Sequence, residues 1–511
     1  MKPALLTYCR NRIDVYLVPA ALSGLLLAGA FPPVSQGWLG FLALVPLLLV
    51  AERRPFASGL VCGLFFFAPL LYWLNIVMTD YGGLAPFFSV VAWLLLCLYL
   101  SLYFGAALWL SCRAQHMLRI PLLVSLPLVW VAFEYLRGIL LSGFPWGLLG
   151  YAAIDMNNLR QLADLFGVYG LSALFMICNL TLTLFLQYRQ PRLICCGLLL
   201  CALLLGGGFY YGRSILSSSG SSDLPRMTLG LIQGNIGQHQ KWDSTYRQQT
   251  LDAYQRLSLK AAKQGARLLI WPEAATPFYL QEKSPSSSQV LRIPALTDTS
   301  LLLGSPSYQV TPDNGYRYFN SAFLLGGDGR VLGRSDKIHL VPFGEYVPFA
   351  KVLFFINKLV SGVGDFSPGT VRPLALNGHD LGVLICYEAI FPALAREYVN
   401  NGSDLLVNIT NDAWFGRSSA PRQLLDMTRM RAIENRIWIA RAANTGISAL
   451  IGPDGATLGE TPLFHEAIVT GQVELGARPC LYRHIGDLFS YLCLLLSGGL
   501  LLGCFIRRQK A

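Results

Sequence analysis

Three stretches of the chain carry side chains whose types and surroundings suit covalent chemistry. The first closes an apolar run: in Leu381-Gly382-Val383-Leu384-Ile385, residues 383–385 read as a buried strand that stops at Cys386-Tyr387-Glu388, after which a helical pattern begins. A cysteine there sits on a strand-to-helix turn, whose free backbone N–H groups and helix N-terminus lower a thiol pKa and can hold a developing oxyanion. The second is Trp271-Pro272-Glu273, which places a carboxylate just past the C-terminal end of a strand, where open α/β sheets bind their ligands. The third runs Asp336-Lys337-Ile338-His339-Leu340-Val341-Pro342-Phe343-Gly344-Glu345-Tyr346-Val347-Pro348, and it has neither a helix nor a strand period. Taken singly, each has a plain structural alternative. Cys386 reads equally as a small buried hydrophobe, Glu273 as a loop carboxylate or helix cap, and Lys337 as the solvated lysine of a surface loop.

The elements that must position these residues belong to a chain of 511 residues, 53% hydrophobic and only 14% charged, with a formal net charge of +11. That apolar fraction over that length is a membrane protein's. The basic residues form short clusters between apolar runs and no stripe interleaved with aromatics, which excludes a nucleic-acid surface. Of twelve cysteines, ten lie within or beside apolar segments, leaving only Cys386 and Cys480 in the polar part. No disulfide framework or metal knuckle can be built from that pair, so a polar domain of ~260 residues must stand on its own core.

Eight candidate spans follow from hydropathy and length: residues 15–31, 38–51, 56–78, 86–112, 121–133, 165–187, 193–211 and 485–506. Phe31-Pro32-Pro33 is no cleavage site, so the first span is expected to be retained. If the N-terminus is cytoplasmic, the inside segments hold Lys2, Arg10, Arg12, Arg53, Arg54, Arg113, Arg119, Arg189, Arg192, Arg507, Arg508 and Lys510, and the short outside loops only Arg137 and Arg160. That asymmetry places residues 217–483 outside the cytoplasm. The expected organisation is a membrane domain at 1–216 with about seven helices, a periplasmic domain at 217–483, and a final span with a cytoplasmic tail at 484–511. Glu134 and Asp164 fall near span ends, where charge is cheap. The broken aromatic stretch Gly143-Phe144-Pro145-Trp146-Gly147 suits a membrane interface, either as a plain aromatic belt or as a lining where a lipid tail reaches the polar domain.

Within the polar domain, strands are expected at 227–233, 267–270, 300–304, 321–325, 331–334, 383–385, 405–409, 437–443, 447–451 and 467–473, with helices at 244–264, 390–400 and 423–435. Strands alternate with helices and interrupt themselves with hairpins. The predicted fold class is therefore a multi-span α-helical membrane domain joined to an α/β sandwich, in which helices cover two stacked mixed sheets.

Chain order sharpens the three motifs. Glu in Trp271-Pro272-Glu273, then Lys in Asp336-Lys337-Ile338-His339, then Cys in Ile385-Cys386-Tyr387-Glu388 resembles the nitrilase (carbon–nitrogen hydrolase) superfamily over residues 227–473. The apolar spans, Pro145-Trp146, the Lys241-Trp242 pair and the run 339–348 make the whole chain similar to the membrane-embedded apolipoprotein N-acyltransferases, an eight-span family of bacterial inner membranes. The resemblance implies a Glu273, Lys337 and Cys386 triad on an αββα nitrilase-like sandwich. Glu273 would act as general base and acid, Lys337 as oxyanion stabiliser with the Tyr387 backbone N–H, and Cys386 as nucleophile.

It further implies an acyl chain passing from a phospholipid, through a Cys386 thioester, to the α-amine of a diacylglyceryl-cysteine lipoprotein by ping-pong kinetics. Glu345, Tyr387 and Glu388 are expected in support, Trp146 and Trp242 at the lipid substrates, His339 in a structural hydrogen bond, and residues 349–366 as a lid. No cofactor is expected, six scattered histidines suggest no metal, and the protein is expected to be a monomer. Two other readings stand beside this one: a membrane-anchored amidase of the same superfamily, and a transporter or channel with an outer binding domain.

Overall fold

A computed structural model describes residues 14–187, 190–218, 223–347 and 366–509. These fall into two compact units, one of Met1–Asn75, Pro86–Gly220 and His484–Ala511, the other of Ile76–Ala85 and Ser221–Arg483. The segment Ile76–Ala85, which the sequence reading leaves in the membrane domain, therefore clusters with the second unit. There Tyr81 meets Trp414 edge to face at 5.4 Å.

The first unit is helical: α1 (Asp14–Gly29), α2 (Val45–Val50), α3 (Pro55–Leu70), α4 (Pro86–Leu118), α5 (Leu122–Ile139), α6 (Ala163–Gln187), α7 (Pro191–Ser218) and, near the end of the chain, a long helix at Leu488–Gln509. Among the described residues five helical stretches are long and apolar enough to cross a membrane, and a sixth if Pro55–Leu70 and Leu74–Tyr81, bent by 59°, count as one span. Tyr16–Gly29 and Gly37–Val50 are shorter apolar stretches. Of the eight expected spans, five fall on these helices, 56–78 on the bent pair, and 15–31 and 38–51 on the two shorter apolar stretches. Close helix packing rests on missing side chains: a Cβ at Gly59 would come within 2.6 Å of the Phe104 carbonyl, and one at Gly63 within 2.8 Å of the Ser101 Cα.

Two expectations for this unit are corrected. Glu134, Arg137, Arg160 and Asp164 are buried, where the sequence alone suggests cheaply solvated charge. Each is offset by specific partners. Glu134 accepts from Trp130 Nε1 at 3.1 Å and from the Leu149 N–H at 2.8 Å. Arg137 donates to the Trp146 carbonyl at 2.6 Å, Arg160 to the Ile154 carbonyl at 3.0 Å, and Asp164 accepts from the Tyr211 hydroxyl. The aromatic stretch is likewise interior. Trp146 is 2% exposed and packs on Trp73 at 4.9 Å and Phe144 at 5.7 Å, so Glu134 and Arg137 hold the broken loop from within.

The second unit contains two six-stranded sheets. The first has the order β12-β1-β2-β3-β4-β5, built from β1 (Arg226–Gln233), β2 (Leu268–Ile270), β3 (Ser300–Val310), β4 (Tyr316–Leu325), β5 (Val331–Asp336) and β12 (Ala467–Glu474). The second has the order β11-β10-β9-β8-β7-β6, from β6 (Leu374–Leu376), β7 (His379–Ile385), β8 (Leu405–Thr410), β9 (Ile439–Ala443), β10 (Ala449–Ile451) and β11 (Thr457–Leu458). In each, three strands run parallel at the centre (β1-β2-β3 and β7-β8-β9) and antiparallel strands flank them. Parallel centres need covering on both faces, which accounts for their continuous apolar runs.

Helices at Arg247–Lys263, Pro285–Thr297, Pro392–Asn400 and Ala420–Asn435 belong to the same unit. Helix Pro285–Thr297 and strands β6 and β11 have no counterpart in the sequence reading. The proposed lid at 349–366 lies, but for Phe366, outside the described residues, as does Pro348.

Candidate active site

The first functional group is placed by a packed strand. Trp271, fully buried beyond β2, stacks on Tyr254 at 4.6 Å and donates its Nε1 proton to Ser258 at 2.9 Å, which anchors β2 to helix Arg247–Lys263. Two residues further on, Glu273 turns inward. Its Oε2 accepts from the Asn411 N–H at 2.9 Å and its Oε1 from Asn320 Nδ2 at 2.7 Å.

Lys337 follows β5 directly, and backbone pairing sets its position: its N–H donates to the Asn320 carbonyl at 2.8 Å, and its carbonyl accepts from Gly369 N–H at 2.8 Å. The ammonium then reaches Glu345 Oε1 at 2.9 Å and Glu273 Oε1 at 3.7 Å, all but sealed from solvent. It also lies over the Tyr387 ring, 5.4 Å from its centroid. Burial alone would discharge this lysine, but Glu345 and Glu273 outweigh it and hold its pKa well above the ordinary value, so it stays cationic.

Cys386 ends β7 in a left-handed conformation, φ 58°, which a non-glycine residue adopts only where its surroundings enforce it. Those surroundings are visible. Asn408 on β8 donates to both the Leu384 and Cys386 carbonyls, at 2.9 and 3.1 Å, and is itself gripped by Arg441, whose other nitrogen bonds Asp412 at 2.8 Å. After the cysteine comes only a 3-10 turn, Cys386–Ile390, and the α-helix waits until Pro392. The expected helix N-terminus beneath the thiol is therefore absent. Burial instead raises the Cys386 pKa, the Glu273 carboxylate adds to the rise, and Lys337 pulls against it. The thiol is protonated at rest and lies in the fields of the Glu273 and Lys337 charges.

Of the supporting residues, Glu345 bonds Lys337 and shares the Asn320 amide with Glu273, at 3.1 Å. Glu388 does something else. Its carboxyl accepts from the Ile338, His339 and Ile385 N–H groups at 2.7, 2.8 and 2.6 Å, tying the cysteine turn to the lysine segment. Burial pushes its pKa up to about 7 against those donors. The Tyr387 hydroxyl donates to the Leu340 carbonyl at 2.7 Å, and His339 stacks on Phe391 at 3.8 Å. Trp242 is 47% exposed, whereas Trp146 belongs to the interior of the first unit.

Sequence reasoning missed Asn320, Asn408, Asp412 and Arg441, and gave Lys241 no role, although its Nζ donates to the Glu273 carbonyl at 3.0 Å. Among the described residues no group of three or more His, Cys, Asp or Glu could hold a metal. A carboxylate, a fixed cation and a thiol buried in one cluster are the groups that forming and breaking an acyl thioester calls for.

Comparison with known proteins agrees over both units. A carbon-nitrogen hydrolase family model matches residues 228–478, and that of the apolipoprotein N-acyltransferase N-terminal domain matches residues 23–181. A protein of Geobacter metallireducens named apolipoprotein N-acyltransferase is 44% identical over 504 residues, 96% of this chain and 95% of that one. One of Methylococcus capsulatus with the same name is 33% identical over 501 residues, 96% of each. A solved amidase from Nesterenkonia sp. AN1 aligns at 23% identity and a TM-score of 0.38, covering 52% of this chain and 98% of that one.

Proposed function

This chain belongs to the apolipoprotein N-acyltransferase family, and from that premise we propose that it moves a fatty acyl chain from a phospholipid to the α-amine of a diacylglyceryl-cysteine lipoprotein through a thioester on Cys386. The observation that carries the reading is the meeting of Glu273 and Lys337, 3.7 Å apart and buried, with a thiol subject to both charges.

In the first half-reaction Glu273 takes the Cys386 proton and the thiolate adds to the ester carbonyl. The charge that develops on oxygen is met by Lys337 and the Tyr387 backbone N–H; losing one such donor typically slows a reaction by about 10² to 10³. Collapse expels the glyceryl oxygen, which receives the proton from Glu273, and leaves the thioester. In the second half the acceptor amine adds to the thioester carbonyl, Glu273 takes an amine proton, and the expelled sulfur recovers it. Burial of the cluster restrains water, the competing nucleophile.

Family membership supports a bacterial inner-membrane location, and the Lys and Arg distribution supports a catalytic unit on the periplasmic side. The lipid substrates, and a monomeric enzyme, form part of the same reading. The test is transfer by the full chain in vesicles carrying labelled phospholipid and a diacylglyceryl-cysteine peptide. Labelled N-acyl peptide that depends on both lipids is expected. Release of ammonia from soluble amides without phospholipid, and no labelled peptide, would instead make the protein an amidase.

A further inference from the structure

The site contains a second lysine to which the mechanism above gives no part. Lys241, at the end of the short helix Gln238–Lys241, is 2% exposed, and among the described residues the one hydrogen bond of its ammonium runs from Nζ to the Glu273 main-chain carbonyl at 3.0 Å. It forms no ion pair among the described residues. A bare ammonium in a dry interior is costly unless negative charge lies close by, so its presence here has to be accounted for by the site.

Counting charges supplies the account. Glu273 and Glu345 are two acids, and Lys337 is one cation placed against both. Glu388 is engaged by three backbone N–H groups and Asp412 by Arg441, so neither is available to Lys241. Without Lys241 the reacting cluster carries one negative charge. Proton transfer from Cys386 to Glu273 leaves that total unchanged and moves the charge onto sulfur and then onto the substrate oxygen.

We infer that Lys241 is a further positioning residue of the reaction: its ammonium, pinned by the Glu273 carbonyl, offsets the second carboxylate, so that negative charge passes from Glu273 to sulfur to the ester oxygen through a site of no net charge. The inference rests on the acyl-transfer reading above. The charged and titratable groups that act on Lys241 are Glu273 and Cys386, with Lys337 and Glu345 beyond them. Burial lowers its pKa to about 8, and Glu273 and Cys386 resist that fall. At neutral pH Lys241 is therefore mostly charged, and it loses its charge as pH rises through about 8, while the buried thiol titrates well above that window.

The experiment follows the acyl mass on Cys386 by rapid quench and intact mass spectrometry. It uses the full chain in vesicles of phosphatidylethanolamine and phosphatidylglycerol, from neutral to alkaline pH, for wild type, Lys241→Met and Lys241→Arg. Wild type is expected to acylate more slowly above about pH 8. Lys241→Met should be slower by about tenfold or more at neutral pH and lack that alkaline decline. Lys241→Arg, which keeps its charge, should recover most of the neutral rate and also lack the decline. A Met variant with wild-type rate and profile would overturn the inference, as would one slowed equally at every pH with the decline intact, since that is a packing defect. A wild type that never gains the mass fails the acyl-transfer reading itself, and the role of Lys241 with it.

Discussion

Cys386 is a nucleophile only on demand. Because burial holds its thiol protonated, the proposed reaction has the proton leave through Glu273 as the bond to the acyl carbon forms. Glu273→Gln should lower the rate of acyl-enzyme formation by roughly 10² to 10⁴, with the fold retained because an amide can keep the contact with the Asn411 N–H. Stopped-quench acylation and circular dichroism measured together check both halves of that statement. Glu388 belongs to a different class. Replacing it with Ala leaves three N–H groups without that acceptor, one buried and two half-buried, the buried one costing about 1 to 3 kcal/mol, so the expected result is a lower melting temperature along with lost activity. Rising activity or an unchanged melting temperature would contradict this. Glu273, Lys337 and Cys386 were legible because carboxylate, ammonium and thiol followed one another in a recognisable order. Asn320 was not: in Tyr318-Phe319-Asn320-Ser321 it reads as one more residue of a strand, and the carboxylates it bridges lie 47 positions before it and 25 after it.

At the scale of elements, the site depends on how closely β3 approaches the loop that carries Glu273. A Cβ at Gly304 would stand 2.6 Å from the Glu273 Cα, the Ala274 nitrogen and the Pro272 carbonyl, all of them backbone. Gly304→Ala must therefore displace the Glu273 carboxylate. Activity is expected to fall far more than the melting temperature, and wild-type turnover would refute the positional argument. Strands of the two parallel centres were readable as apolar runs, since both faces are covered. The ends of β3 and β4 were not, because Tyr308, Gln309, Tyr316 and Arg317 face the surface, or partly so, and break the apolar signal. Helix Pro285–Thr297 opens Pro-Ser-Ser-Ser and resembles a loop until the Ser284 hydroxyl is seen accepting the Ser287 N–H at 3.0 Å as its N-cap. The turn after Cys386 was misread for a related reason. An apolar run ending before a helical pattern does not reveal that five residues of 3-10 turn intervene.

At the scale of the molecule, the sequence conveys that the chain crosses a membrane but not how its first unit is held together. The apolar composition predicts spans, and says nothing of Glu134 and Arg137 holding an aromatic loop from within. Nor does hydropathy show that Gly59 and Gly63 let α3 and α4 touch at backbone distance. Gly63→Leu should force those helices apart and lower thermal stability in detergent; a melting temperature equal to wild type would show that the contact is dispensable. The central claim, that an acyl group travels by way of one sulfur, is tested most directly by the intact mass of the full-length protein purified after exposure to phospholipid. The account predicts an added fatty acyl mass that maps to Cys386, is absent from Cys386→Ala, and is discharged by a diacylglyceryl-cysteine peptide. An unmodified Cys386 in a preparation that still transfers acyl chains would contradict it.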